Sequence, residues 1–367
     1  RKKRSLTIET SDGNVDSMIH KNQNRMEQLV LPPFGKFQHK TFVQSRLVDH
    51  GHSTSQDASD SGPNWGIQTS TDAWLASRIV LPAHPEFLRG VLQNFLDQQA
   101  ANGIIDMLTS WAGKRTGKFC TPLLASLAFE LHQYLQDEEW LGLVFPALLR
   151  NLQAWFQEKF HENENGFPRW EHPLQLGFPV SNVIKGVETQ DWSTFVRTAE
   201  SPALAALLYR ECESLLKMAV ILRHSDDVAW IEEKAAQLKT LVVECWNEKN
   251  ARFQNRDMLN HISSKAGKAI SYHRNGSFPI RDKKSSSSYT IIKVHLVNGF
   301  VHPLTVEVIF KKGKKATLTD KEFEWSGNYG VVLLERSLEN ISAIEIRGLS
   351  RGESVKIYEP DFTSFDP

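Results

Sequence analysis

The sequence predicts a mainly α protein of helical hairpins, suited to a toroid or bundle, with a small antiparallel β-sandwich domain at its C-terminal end. Three observations carry that expectation. From about Asn14 to about Trp246 the apolar residues mostly follow a helical period. Short turns and long polar loops alternate between successive helical stretches, which gathers the long loops at one end. From about Ser285 the pattern becomes short, β-branched and strand-like. The expected division is a helical portion over 1–255, a linker over 256–288 and a sandwich-like domain over 289–367.

Taken in order, "NVDSMIHKNQNRMEQLV" (Asn14 to Val30) reads as an amphipathic helix opened by "SDG". A loop rich in Ser, Asp and Gly follows from His50 to Pro63. "TDAWLASRIVL" (Thr71 to Leu81) is a second helix, stopped by Pro82. Pro85 to Gly103 is a third, with proline at its first helical position and glycine at its end. Thr121 to Asp137 and Glu138 to Phe160 form a tight helical hairpin; Glu200 to His224 and Asp226 to Lys249 form another. Ser201-Pro202 and Asp226 supply the N-terminal caps of that second pair. The strands are "YTIIKVHLV", "LTVEVIFKK", "GVVLLERS", "ISAIEIRG" and "SVKIYEP". "RDKKSSSS" before them reads as a solvated linker, and "KKGKK" (Lys311 to Lys315) as an exposed hairpin turn. "DMLNH" (Asp257 to His261) has the look of a helix-to-strand junction. No repeat of fixed period is visible, which argues against a regular solenoid.

Composition narrows the function classes. Lys plus Arg and Asp plus Glu both total 43, so no net charge draws the chain to nucleic acid or an anionic membrane. No apolar run reaches the length of a membrane span. The three cysteines, Cys120, Cys212 and Cys245, are widely spaced and read as reduced core thiols, which points to the cytoplasm. The opening "RKKRSLTIE" lacks both a Met and an apolar signal region, and reads as a cut inside a longer chain. Nucleophile elbows, phosphate loops and paired metal-ligand motifs are missing from the sequence, and no cofactor is implied. His50 and His52 read as solvent-facing residues, so no metal site is expected.

Ten tryptophans are many for a chain of 367 residues, and several stand beside carboxylates on the long loops. That mixture suits carbohydrate. Sugar rings stack on aromatic side chains, Asp, Gln, His and Arg bind the hydroxyls, and a carboxyl pair cleaves the glycosidic bond. Four segments carry it. Asn64 to Trp74 supplies Trp65, Asp72 and Trp74; Gly103 to Arg115 supplies Trp111 and Arg115. "GFPRWEHPLQLGF" (Gly166 to Phe178) supplies Trp170, Glu171, His172 and Gln175, and Val187 to Phe195 supplies Asp191 and Trp192. Glu171 reads either as a catalytic acid or as a residue that caps a turn or pairs with Arg169 or His172.

Two of these segments and one further stretch resemble the six-hairpin glycosidases: glucoamylase, trehalase, processing α-glucosidase I and the glycogen-debranching glucosidases. "GIQTSTDAWLASRIVLP" resembles the family's aromatic-x-Arg-Asp motif, with Asp72 matching the sugar-binding Asp and Thr71 standing where the Arg is usual. "FPRWEHPLQ" resembles the Trp-Glu of the acid-bearing loop, which gives Glu171 the acid role and Trp170 a stacking role. In trehalase-like members the acid follows a Gly-aromatic pair. Gly177-Phe178 matches that pair, but Pro179, Val180 and Ser181 follow it. "ESPALAALLYRE" resembles the start of a helix beside the sugar site. The resemblance covers roughly residues 1 to 250. It implies part of an (α/α)6 toroid and inverting hydrolysis of α-glucosides or related oligosaccharides, with the second carboxylate outside this chain. A non-catalytic sugar-binding or scaffold protein on a degenerate toroid is the alternative.

Overall fold

The computed structural model describes residues 9–42, 67–81, 83–113, 116–157, 167–171, 175, 197–263, 269–281, 284–298, 300–326 and 328–360. Contacts divide the chain into two interleaved units. The first draws on 1–158, 174–179 and 206–239, and the second on 159–173, 180–205 and 240–367.

Among the described residues the helices are α1 (Gly13–Leu29), α2 (Ser70–Val80), α3 (Pro85–Leu96), α4 (Leu124–Leu135), α5 (Glu138–Trp155), α6 (Pro202–Leu222) and α7 (Val228–Glu244). All seven answer to a periodic stretch of the sequence, though most end earlier than the apolar pattern does. Local chemistry sets the ends. Pro85 opens α3, where a missing N–H costs nothing. The α4–α5 turn is held by Gln136 in a left-handed conformation and by Asp137, whose carboxylate accepts from the Trp140 N–H at 2.9 Å.

In the first unit the core forms where α3, α4 and α5 pack together. Leu88, Leu92 and Phe95 meet Leu124, Leu127 and Leu131, with Leu141, Leu148 and Trp155 completing the layer, and all are almost fully buried. Phe119 stacks on Trp155 with ring centroids 4.2 Å apart.

The second unit contains a two-sheet sandwich of nine strands: β1 (Ile270–Tyr272), β2 (Gly276–Pro279), β3 (Thr290–His295), β4 (Thr305–Phe310), β5 (Lys315–Thr319), β6 (Glu324–Ser326), β7 (Tyr329–Leu334), β8 (Ile341–Arg347) and β9 (Ser354–Tyr358). One sheet has the order β2-β8-β4-β5 and the other β6-β7-β3-β9-β1. All neighbours are antiparallel. The register places Val306 opposite Ile346 and Val308 opposite Ile344 in the first sheet, and Ile292 opposite Ile357 in the second. These side chains fill one shared core between the sheets.

Several sequence expectations change here. The segment 256–288, expected as a linker, contains β1 and β2. "ISY" and "GSFP" are too short and too broken by Gly and Pro for alternation to reveal them. The serine run is no solvated tether either. Ser287 is buried, and its hydroxyl and the Ser288 N–H donate to the Asp257 carboxylate at 3.0 and 2.7 Å. "KKGKK" forms the β4–β5 hairpin turn, with Gly313 at φ +76°. The polar loop expected over 50–63 lies outside the described residues.

Candidate functional site

In the first unit Asp72 stands at the N-terminus of α2, and Thr121 links Gln175 to the same helix end. Thr69 caps that helix, accepting from the Asp72 N–H at 3.2 Å, and its hydroxyl donates to Asp72 Oδ2 at 2.5 Å. Asp72 therefore sits three residues past the cap, where a carboxylate also complements the helix dipole. Beside it, the Ser70 hydroxyl donates to the Thr121 carbonyl at 2.8 Å and the Thr71 hydroxyl to Thr121 Oγ1 at 3.2 Å. Thr121 Oγ1 in turn donates to the Gln175 carbonyl at 2.6 Å, and Gln175 Nε2 donates to the Phe119 carbonyl at 3.1 Å. Gln175 is fully buried. Its amide ties Gln175 to the segment that precedes α4.

Two predicted stacking residues are also engaged. The Trp74 ring has the Arg78 and Arg210 guanidinium groups each 4.0 Å from its centroid. Two such planes at that height fit only on opposite faces, so neither face is open to a sugar. Arg78 is itself held by a bidentate pair with Glu130, at 2.6 and 2.8 Å. Trp111 is buried against Phe34, ring centroids 4.5 Å apart. Both are packing tryptophans in this arrangement, which a Trp count cannot separate from ligand-facing ones.

The second unit holds Trp170 and Glu171. Trp170 is 2% exposed and its indole N–H donates to Ser201 Oγ at 3.1 Å. Its expected stacking role gives way to anchoring, since no ring face reaches solvent. Ser201 also accepts from the Leu204 N–H at 3.3 Å, in the capping role expected of it. Arg169 donates to the Arg197 carbonyl at 3.5 Å. Glu171 is half-buried directly beside this anchored indole. Trp65, Arg115, His172, Asp191 and Trp192 lie outside the described residues.

Glu211 and Glu200 are among the buried carboxylates that escaped sequence reasoning. Glu211, on α6, accepts from the Ala125 and Ser126 N–H groups at 2.7 and 2.8 Å and from Ser126 Oγ at 2.6 Å. It satisfies the donors that the first turn of α4 leaves over. Burial pushes its carboxyl above the ordinary range, against the pull of those hydrogen bonds. The available signal was the placing of Glu211 at the helical spacing of Leu204, Leu208, Leu215 and Met218, on the apolar face of that stretch. Glu200, fully buried at the short pairing of 199–200 with 256–257, accepts from Arg256 Nη2 at 2.9 Å and lies 3.0 Å from His261 Nδ1. His261 adopts φ +59°, held by its N–H to the Asp257 carbonyl at 2.8 Å. At the junction around "DMLNH", the buried Glu200 is thus met by Arg256 and by the partly exposed His261.

Among the described residues, no group of three or more His, Cys, Asp or Glu side chains could hold a metal ion. No helix of the described residues is long and apolar enough to cross a membrane.

Polar ends of apolar helices, a carboxylate beside a buried indole and an appended sandwich are consistent with a carbohydrate-active domain. Comparison makes the class explicit. Residues 64–278 match the model of the mannosylglycerate hydrolase MGH1-like glycoside hydrolase domain, and the chain belongs to that family. The resemblance to the six-hairpin glycosidases is borne out at this level. Among solved structures, the chain is similar to the GH63 mannosylglycerate hydrolase from Thermus thermophilus in complex with glucose. Identity is 15% over 67% of each chain, with a TM-score of 0.44. Pseudomonas aeruginosa AlgX matches at 15% identity over 37% of this chain and 32% of its own, with a TM-score of 0.19. No curated protein matches the chain.

Proposed function

We propose that this protein is a glycoside hydrolase acting on α-glucosides or related oligosaccharides by inverting hydrolysis, on a scaffold that forms part of an (α/α)6 toroid. Glu171 is the general acid, protonating the glycosidic oxygen as the bond breaks. A second carboxylate, distinct from those described above, takes a proton from water as that water attacks the opposite face of the sugar. Such carboxyls stand about 6.5–9.5 Å apart. The observation that carries the reading is the glycoside hydrolase family match over 64–278, which spans the Trp170–Glu171 loop. Asp72 is the matching sugar-binding residue, with Arg115, His172, Asp191 and Trp192 as further contacts. The three cysteines, buried and without a disulfide, support a reducing, cytoplasmic setting.

The test compares Glu171→Gln with wild type on α-linked glucosides and on mannosylglycerate, the compound in the family's name. Loss of about 10² or more in kcat is expected of a missing general acid. Equal activity in the two proteins removes Glu171 from that role.

One set of observations favours a second reading, a sugar-binding protein without hydrolysis. Trp74, Trp111, Trp170 and Gln175 are all committed to packing or internal hydrogen bonds. Measurable sugar binding with no turnover of either substrate class would select it.

A further inference from the structure

Trp170 and Glu171 are adjacent in the chain, so the seat of the indole fixes where the Glu171 side chain begins. Trp170 is 2% exposed, and a ring of that size in a close-packed interior holds one orientation. The polar atom of the ring, Nε1, only donates, and Ser201 Oγ accepts from it at 3.1 Å. Removing that oxygen takes an acceptor from a buried donor, a change that the ring relieves by shifting.

Ser201 is itself held in place. It is almost fully buried, and its Oγ also accepts from the Leu204 N–H at 3.3 Å in the first turn of α6. Residues 199 and 200 pair with 257 and 256, and the Met258 N–H extends that ladder to the Thr198 carbonyl at 2.9 Å. Arg256 Nε and Nη2 lie 3.0 and 2.9 Å from Glu200 Oε2, and His261 Nδ1 lies 3.0 Å from the same oxygen. Arg169 reaches the ladder as well: its Nη1 donates to the Arg197 carbonyl at 3.5 Å and lies 3.9 Å from Met258 Sδ. Both residues that precede Glu171 are therefore moored to one short pairing, and the Ser201 hydroxyl makes the shortest of those contacts. All of these residues belong to the second unit. We propose that Ser201 is a positioning residue for the general acid: through the indole it holds the Glu171 carboxyl at the glycosidic oxygen. The inference rests on the acid role of Glu171. A reacting group misplaced by about 1 Å can cost about 10² in rate, so one lost hydrogen bond is enough to register.

The test pairs the substrate that wild type cleaves, maltose or mannosylglycerate, with the matching glycosyl fluoride. The first needs a proton on its leaving group; fluoride departs without one. Ser201→Ala is expected to lower kcat on the first about tenfold or more with KM unchanged, and to stay within about twofold of wild type on the fluoride. Ser201→Thr keeps the hydroxyl and restores most of the lost rate. Trp170→Phe removes the same hydrogen bond from the other side and reproduces the pattern, which decides the matter where Ser201→Ala does not fold. Equal losses on the two substrates overturn the proposal, since the hydroxyl then serves the fold alone, and so does no loss on either. Glu171→Gln tells the two readings apart. If Glu171→Gln is slowed on the first substrate and Ser201→Ala is not, only the positioning role falls. If Glu171→Gln equals wild type, or wild type cleaves neither substrate, the acid role falls and the positioning role with it.

Discussion

His302 and Glu353 show how much a single pair of residues can govern. Nε2 of His302 lies 3.0 and 2.9 Å from the two Glu353 oxygens, and Nδ1 lies 3.3 Å from the Pro303 carbonyl. Both ring nitrogens face acceptors, so the protonated ring is favoured. The hydrogen bond to Glu353 raises His302 above its ordinary 6.5, with the Asp320 charge adding a little. Burial alone would raise Glu353, but the Ser350 N–H and the His302 ring together hold it below 4.5. The raised His302 stabilises the fold fully below pH 6.5 and loses that effect as pH rises through its folded value. The depressed Glu353 stabilises fully above pH 4.5 and loses that effect as pH falls through its own. The Tm difference between wild type and His302→Ala is therefore expected to be largest between about pH 4.5 and 6.5. Melting curves from acid to mildly alkaline pH check this; a difference that stays constant across the range contradicts it. At this scale Ser201 was readable as a cap, because capping depends on neighbours in sequence. The surroundings of Trp74 and Trp170 were not, because Arg210 and Ser201 come from segments far along the chain.

At the scale of elements, α4 has its first turn closed by a carboxylate from α6. Glu211→Ala would leave the Ala125 and Ser126 N–H groups buried without an acceptor, at a cost of about 3 kcal/mol. Because burial raises the Glu211 carboxyl, wild-type stability from this group falls as pH rises through its folded pKa. The gap between wild type and Glu211→Ala should then narrow as pH increases, and denaturant melts at two pH values read it directly. A loss below about 1 kcal/mol would show that water replaces the carboxylate. Helices and long strands were legible as elements, since their periods run over ten or more residues or repeat in β-branched alternation. The strands β1, β2, β5 and β6 were not, because β1, β2 and β6 have only three or four residues and β5 lacks the β-branched apolar alternation of the equally short β9, so only their partners define them.

Across the whole molecule, Cys120, Cys212 and Cys245 form no disulfide and are buried, the first two in the first unit and the third in the second. Burial pushes Cys120 and Cys212 up to about 12, so neither carries a reactive thiolate near neutrality. A thiol reagent is expected to label none of the three in the native protein at mildly alkaline pH, and all three in denaturant. Rapid labelling of one thiol in the native state would identify a locally open segment. By itself the sequence determined the helical hairpins, the C-terminal sandwich, the family resemblance and Glu171 as the candidate acid. Those rest on periodicity, turn chemistry and short motifs, all local in the chain. Only the tertiary structure decided that Trp74, Trp111, Trp170 and Gln175 serve packing, that Glu200 and Glu211 are buried within polar networks, and that Ser201 meets the indole beside Glu171. Each of those depends on which distant segments meet, and burial of a side chain is a property of the contact.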